Sequence, residues 1–119
     1  MANEIRLPLT PLSTGILLAL AAEELHGYAL MKAVEEQSSG VLTSGTGTLY
    51  AALTRLLEDG LIEVCEGAPG DQRRGKSYTI SEAGRELLRA EASRLDAIVR
   101  RAREVNVGPD SDLATQGRG

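Results

Sequence analysis

The segment TSGTGTLYAALTRLLEDGLIEV, at Thr43–Val64, constrains the fold of this chain more than any other stretch. Leu49, Leu53 and Leu56 recur at helical spacing, so one face of a helix must pack against a core. Asp59–Gly60 ends the helix, because glycine readily adopts the left-handed conformation that follows a last helical turn. The next four residues alternate as a strand does. The segment therefore predicts a helix that leads directly into a sheet.

The outer face of the same helix, predicted at about Thr46–Glu58, is small, polar and nearly uncharged. At about 100° per residue, Gly47, Ala51, Thr54 and Glu58 lie opposite the leucine stripe. Solvated surface helices normally carry lysine and glutamate on this side, so the face is more typical of one that contacts a partner. The best candidate is the major groove of DNA, which is wide enough to admit an α-helix.

Two further helices are predicted before this one. Thr10–Pro11 begins the first, with a hydroxyl N-cap and a proline at the first helical position, and its apolar pattern ends near Leu25–Gly27. The second ends at Ser38–Gly40, and Val41–Leu42 are predicted to form a very short strand. Two helices, a short turn and a third helix with a polar outer face give the order of a helix-turn-helix unit.

A β-hairpin is predicted after the third helix. Residues 62–66 and 76–80 alternate as strands around the glycine-rich loop GAPGDQRRG. The loop carries Arg73 and Arg74, and Lys76 begins the return strand, so the hairpin makes a basic wing. The alternative is that these three residues are ordinary solvent-exposed charges of a loop and contact no partner.

A long last helix is predicted to begin at Ser81, which serves as its N-cap. Its apolar residues alternate spacings of four and three, as in a heptad-like seam: Leu88, Ala92, Leu95, Val99 and Ala102. The seam favours contact with a second copy of the chain, because the helix follows a unit that already looks complete. A helix folded back on its own domain is the alternative. The other positions, Glu91 and Arg94 among them, alternate in charge as an exposed face does.

The predicted architecture is mostly α with one small β-hairpin. It comprises a flexible lead at residues 1–9, a winged helix-turn-helix domain at 10–80, a dimerisation helix at 81–105 and a disordered tail at 106–119. The 119 residues suffice for one modest core. The sequence shows neither 18 consecutive apolar residues nor the pattern of a signal peptide, so the cytoplasm is the expected location.

Composition limits the chemistry that this chain can perform. One cysteine and one histidine exclude an internal disulfide and a cysteine-based zinc site, and they assemble no catalytic triad. No enzyme activity, metal or cofactor is therefore predicted. The net charge of −4 counts against nucleic-acid binding, for which a basic domain is expected. One copy would bind DNA with modest affinity, so useful binding would need two copies of the protein.

Three segments carry a family resemblance: LHGYALMKAVEE at Leu25–Glu36, SGTGTLYAALTRLLEDGLIEV at Ser44–Val64 and RRGKSYTISEAGRELL at Arg73–Leu88. Together they resemble the PadR family of bacterial winged-helix transcriptional regulators, and the single C-terminal helix is similar to its shorter members. The resemblance implies a homodimer with a recognition helix in the major groove. It also implies a wing that reaches phosphate or the minor groove. Family members are commonly repressors, and several respond to small toxic molecules.

The candidate DNA-contacting residues follow from that placement. Hydroxyl groups can bond phosphates or base edges, small residues allow close approach, and arginine suits phosphate or guanine. The recognition helix supplies Thr46, Gly47, Thr48, Tyr50, Ala51, Thr54 and Arg55, the wing supplies Arg73, Arg74 and Lys76, and the second helix supplies Lys32. For Tyr50, a core role with an outward hydroxyl is an equal alternative.

The sequence thus predicts a dimeric repressor of a pseudo-palindromic operator in double-stranded DNA, since two-fold symmetry places recognition helices about 34 Å apart. A small-molecule effector is left open, and no residue is assigned to it. The alternative is a dimeric winged-helix module that binds protein and has lost DNA affinity, as the acidic charge favours. His26, Tyr28 and Tyr78 are predicted to be structural. Cys65 is predicted to be an incidental, partly exposed thiol, with redox sensing as its alternative.

Overall fold

A computed structural model describes residues 6–42, 45–65 and 76–109 of the chain. Their order is that of a helix-turn-helix followed by a hairpin and a long helix, as the sequence predicted. The helices are α1 (Pro11–Ala22), α2 (Gly27–Gln37), α3 (Thr46–Glu58) and α4 (Glu82–Glu104), and the strands are β1 (Leu25–His26), β2 (Ile62–Cys65) and β3 (Ser77–Ile80). None of the helices in these ranges is long and apolar enough to cross a membrane.

The helix starts follow their capping residues. The Thr10 hydroxyl accepts a hydrogen bond from the Ser13 amide at 3.1 Å, and Pro11 occupies the first helical position of α1. The Ser81 hydroxyl accepts in the same way from the Gly84 amide, also at 3.1 Å, at the start of α4. The N-caps predicted at Thr10 and Ser81 are therefore confirmed.

The sheet has three antiparallel strands in the order β1-β3-β2. Tyr78 in the central strand lies opposite Leu25 on one side and Val64 on the other. The prediction of a strand at Val41–Leu42 is wrong, because these residues pair with no described strand. The third strand is instead Leu25–His26, so α1 ends at Ala22 and not near Leu25–Gly27 as predicted.

The core lies where α1, α2 and α3 meet the sheet. Ile16 and Leu17 from α1, Leu30 from α2 and Leu56 from α3 have no exposed surface. Burying such side chains contributes roughly 1.5–3 kcal/mol each to folding. The rest of this core comprises Leu9, Ala19, Leu20, Val34, Leu49, Leu53, Leu61, Ile62, Tyr78 and Ile80.

The chain divides into two compact units, Met1–Leu88 and Arg89–Gly119. The first contains the three helices, the sheet and the first turns of α4. The second contains the remainder of α4, which continues as a regular helix to Glu104. The predicted lead at residues 1–9 and tail at residues 106–119 lie mostly outside the described residues.

Candidate nucleic-acid interface

Helix α3 is held in the first unit by its leucine stripe. Leu49, Leu53 and Leu56 are each at most 1% exposed, which confirms the inner face predicted from their spacing. Gly45 is the N-cap, and Gly60 follows the last turn with a φ of 74°. That positive φ explains the glycine, since other residues adopt the left-handed region only with strain.

The opposite face of α3 is open, as predicted. Arg55 is its one charged residue before Glu58 at the end of the helix. The remaining side chains are small and polar or absent, so another surface can approach the helix backbone closely. The exposed predicted contacts are Thr46, Gly47, Thr48, Tyr50, Ala51, Thr54 and Arg55.

The Thr54 hydroxyl already has a local partner. It donates to the Tyr50 carbonyl one turn earlier, with an oxygen–oxygen distance of 2.9 Å. Its oxygen can still accept a hydrogen bond, whereas its single proton is engaged. Thr54 therefore presents mainly a methyl group and an acceptor on the outer face.

The Tyr50 side chain on α3 packs against Gly27 at the start of α2. A Cβ atom built on Gly27 would lie 2.9 Å from Tyr50 Cζ and closer still to the phenol oxygen, so a side chain at position 27 would have to displace this ring. The ring nevertheless stays 43% exposed. Burial, together with Tyr50, raises the pKa of the Tyr78 phenol, which is consistent with the two rings lying near each other. The structure thus supports the packing role of Tyr50 and leaves an accessible edge.

Two tyrosines predicted to be structural differ in their surroundings. Tyr78 is 6% exposed in the central strand, which confirms its packing role. Tyr28, in the first turn of α2, is 69% exposed, so that prediction is wrong for this residue. The sequence pattern around it is regular, and only the tertiary packing shows that no element among residues 6–42, 45–65 and 76–109 covers the ring.

The basic side chains of the interface are described only in part. Lys32 on α2 and Lys76 immediately before β3 are exposed, as contact with a phosphate backbone requires. Arg73 and Arg74 lie outside the described residues. Arg6 is exposed in the segment before α1, and the sequence offered no signal for it because it stands alone in an aperiodic stretch.

The hairpin begins from a polar cluster at the end of the sheet. Ser77 is 2% exposed, and its hydroxyl contacts the Cys65 carbonyl at 3.0 Å and the Glu24 carboxylate more closely. These partners explain why Ser77 is buried although strict alternation predicts that it faces outward. Ser77 therefore connects β1, β2 and β3 where the wing starts.

Cys65 in this cluster is expected to be a slow nucleophile. Burial raises the pKa of its thiol, and the negative charges of Glu24 and Glu63 raise it further. Because the thiolate is the reactive form, a raised pKa leaves less of it at neutral pH. We expect iodoacetamide to alkylate Cys65 at pH 8 several-fold more slowly than a free cysteine, with the full rate restored in denaturant. Equal rates in the folded protein and the free thiol would contradict this expectation, and a faster rate in the folded protein would favour redox sensing.

No group of three metal-binding side chains occurs within residues 6–42, 45–65 and 76–109.

The second unit carries an apolar stripe on α4. Leu95 is 39% exposed, and Ile98, which the sequence analysis did not single out, is 52% exposed. Of the other predicted seam residues, Ala92 is exposed, and Leu88, Val99 and Ala102 are half-buried. Ile98 lies one turn from both Leu95 and Ala102, so it continues the same stripe.

Glu91 departs from the exposed, charge-laced face on which it was predicted to lie. It is 2% exposed, and its carboxylate accepts two hydrogen bonds from the Arg94 guanidinium at 2.7 and 2.8 Å. Glu91 precedes Leu95 by four residues and therefore shares its side of the helix. The bidentate pair with Arg94 gives both oxygens of this buried carboxylate a hydrogen-bond partner.

Three helices with a polar-faced third helix, followed by a hairpin and a small antiparallel sheet, define a winged helix-turn-helix domain. Residues 16–90 match the Transcriptional regulator PadR-like family. The chain belongs to this family of transcriptional regulators.

Two curated proteins and one solved structure that are similar to this chain are longer than it. It is 42% identical over 77 residues to an uncharacterised 37.1 kDa protein in transposon TN4556 of Streptomyces fradiae, covering 65% of this chain and 21% of that protein. It is 31% identical over 93 residues to transcriptional regulator YqjI of Escherichia coli K12, covering 78% of this chain and 43% of that protein. The crystal structure of Bacillus subtilis PadR in complex with operator DNA matches with a TM-score of 0.60 and 25% identity, over 68% of this chain and 46% of that one. The chain therefore spans less than half the length of these relatives.

Proposed function

We propose that this chain is a dimeric repressor that binds a pseudo-palindromic operator through α3. The observation that carries the proposal is the outer face of α3, which is exposed, small and free of acidic residues until Glu58. A face of this kind can approach base edges without repelling phosphate. The operator complex of Bacillus subtilis PadR, which shares the fold, supports DNA as the partner.

The individual contacts follow from the chemistry of each side chain. The Thr48 hydroxyl can bond a phosphate or a base edge, and the Ala51 methyl suits the methyl group of thymine. Arg55 suits a phosphate oxygen or the acceptor edge of guanine. Lys32, Lys76 and the wing residues Arg73 and Arg74 would add attraction that is independent of sequence.

The acidic net charge of −4 makes a dimer part of the proposal. One copy offers few cations to the phosphate backbone, so its affinity for DNA is modest. Two linked copies bind the two halves of an operator together, which raises the affinity without any new contact. The apolar stripe on α4 is the surface proposed for pairing. Family members are commonly repressors, so repression is the proposed sign of regulation. A small-molecule effector would act by changing the arrangement of the two copies in the dimer.

The direct test is fluorescence anisotropy with a duplex from upstream of the protein's own gene, beside a scrambled duplex and across a salt series. We expect tight binding to the native duplex alone. The logarithm of its affinity should fall linearly with the logarithm of salt concentration, by about 0.9 per phosphate contacted. Equal, weak binding to both duplexes at low salt would reject specific DNA recognition.

A protein-interaction module is the second candidate, which the acidic net charge favours. Reversing the wing charges with Arg73→Glu and Arg74→Glu separates the two functions. For a DNA regulator we expect affinity to fall about tenfold or more, because like charges then face the phosphates. The control is Arg100→Glu with Arg101→Glu, the same charge change at exposed positions of α4. Equal losses in the two variants would show that net charge, and not the wing, sets the affinity.

A further inference from the structure

An open groove of about 420 Å³ lies in the first unit, between α3 and the segment that leads into α1. Arg6, Thr10 and Ser13 line one side, and Ala51 and Arg55 line the other. The groove therefore shares a wall with the exposed outer face of α3. None of its lining residues is acidic.

The two arginines of this groove differ from three of the arginines of α4. Arg94, Arg100 and Arg101 each pair with a carboxylate within a turn of the same helix. Arg6 and Arg55 are exposed and form no ion pair with any residue in the described ranges. Two like charges along one concave surface create a positive potential that attracts an anion.

The start of α1 adds to that potential. Thr10 and Ser13, the N-cap and the third residue of α1, line the groove. The positive end of the dipole of a 12-residue helix is therefore directed at the same space. The dipole alone would not define a site, but here it reinforces two guanidinium groups.

We infer that this groove binds a backbone phosphate of the duplex that lies on α3, with Arg6 and Arg55 on either side of it. The inference rests on the proposed function. Ala51 and Arg55 belong both to the groove and to the outer face of α3. The sugar-phosphate backbone of a duplex bound to that face would therefore run past the groove. The open shape suits a polymer, because a phosphate can enter while its neighbours along the strand remain outside.

This placement assigns new roles to two residues. Arg6 becomes a positioning contact that the sequence did not suggest. Arg55 becomes a phosphate ligand in preference to a reader of guanine, because it lines the groove in which the phosphate is placed. Both contacts then strengthen binding to any sequence and fix the register of α3 in the major groove without specifying bases.

The test is the salt dependence of DNA binding by Arg6→Gln, measured by anisotropy on the native upstream duplex and on a scrambled one. In the dimer this substitution removes one of the two arginine contacts from each of two phosphates, so the log–log salt slope should become shallower, by at most about 1.8. Affinity at 0.1 M salt should fall roughly tenfold or more, by the same factor for both duplexes. Arg6→Lys keeps the charge and should keep the slope. Arg89→Gln, the same charge change on α4, should leave slope and affinity unchanged.

Several results would overturn the inference. An unchanged slope for Arg6→Gln, or an equal change for Arg89→Gln, would remove the phosphate contact while leaving the proposed function intact. A loss confined to the native duplex would make Arg6 a base-reading residue. If Arg6→Gln keeps its DNA affinity and inorganic phosphate raises the melting temperature of the wild type but not of this variant, the groove binds a small anion instead. Failure of the wild type to prefer the native duplex would overturn both the proposed function and this inference.

Discussion

Gly84→Ala is expected to lower the midpoint of thermal unfolding by about 10–20 °C. A Cβ atom at this position would lie 2.8 Å from Ile80 Cγ1 and closer than van der Waals contact to the Leu61 carbonyl oxygen. That carbonyl is backbone, and it accepts a hydrogen bond from the Ser81 amide at 3.0 Å, so it cannot move aside freely. Forcing an extra methyl into such a site costs about 3 kcal/mol of unfolding free energy.

The matched control is Gly47→Ala, the same change at an exposed glycine of α3. A Cβ atom there meets no atom within 4 Å, and alanine favours helix over glycine by about 0.5–1 kcal/mol. We expect the melting temperature to stay the same or rise slightly, while DNA affinity falls if the backbone of α3 approaches the bases. Circular dichroism melts of both variants provide the measurement. Equal melting temperatures for Gly84→Ala and the wild type would show that α4 does not pack against Leu61 as described.

Local pattern accounts for the elements that the sequence predicted well. The bounds of α3, the caps at Thr10 and Ser81 and the glycine at Gly60 each depend on neighbours within a few residues. Hydrophobic spacing determines which face of α3 is buried, and it therefore also indicates which residues are exposed. The outer face of α3 could be predicted for this reason.

Non-local contacts account for what the sequence did not indicate. Strand β1 has two residues and exists because Leu25 and His26 pair with Tyr78 and Ser77, far along the chain. No periodicity can be measured in so short a run, so Val41–Leu42 looked equally suitable. The burial of Ser77 has the same origin, since its partner Glu24 is 53 residues away.

The groove between Arg6 and Arg55 is another result of tertiary structure. The two arginines are 49 positions apart, and only the packing of α1 against α3 brings them to one surface. Charge counting over the whole chain hides this feature, because the net charge of −4 averages it with acidic residues elsewhere. The acidic composition is therefore a weaker objection to DNA binding than the sequence suggested, since attraction depends on local potential.

Leu95→Glu combined with Ile98→Glu is expected to prevent the dimerisation that is proposed for this chain. Both side chains are exposed on the apolar stripe of α4, and carboxylates there would have to be buried without partners on dimerisation. Operator affinity should fall about 100-fold or more, because each copy would then bind its half-site alone. Sedimentation velocity measures the oligomeric state, and anisotropy on the native duplex measures the affinity.

Ala90→Glu combined with Ala97→Glu adds the same two charges to α4 on the side away from the stripe, where both alanines are exposed. This control should remain dimeric and bind the operator at nearly the wild-type affinity. A stripe variant that stays dimeric would place the interface on another surface of the chain. A monomeric stripe variant that keeps its operator affinity would instead show that one copy binds DNA well enough alone. The proposal that dimerisation compensates for the acidic net charge would then be wrong.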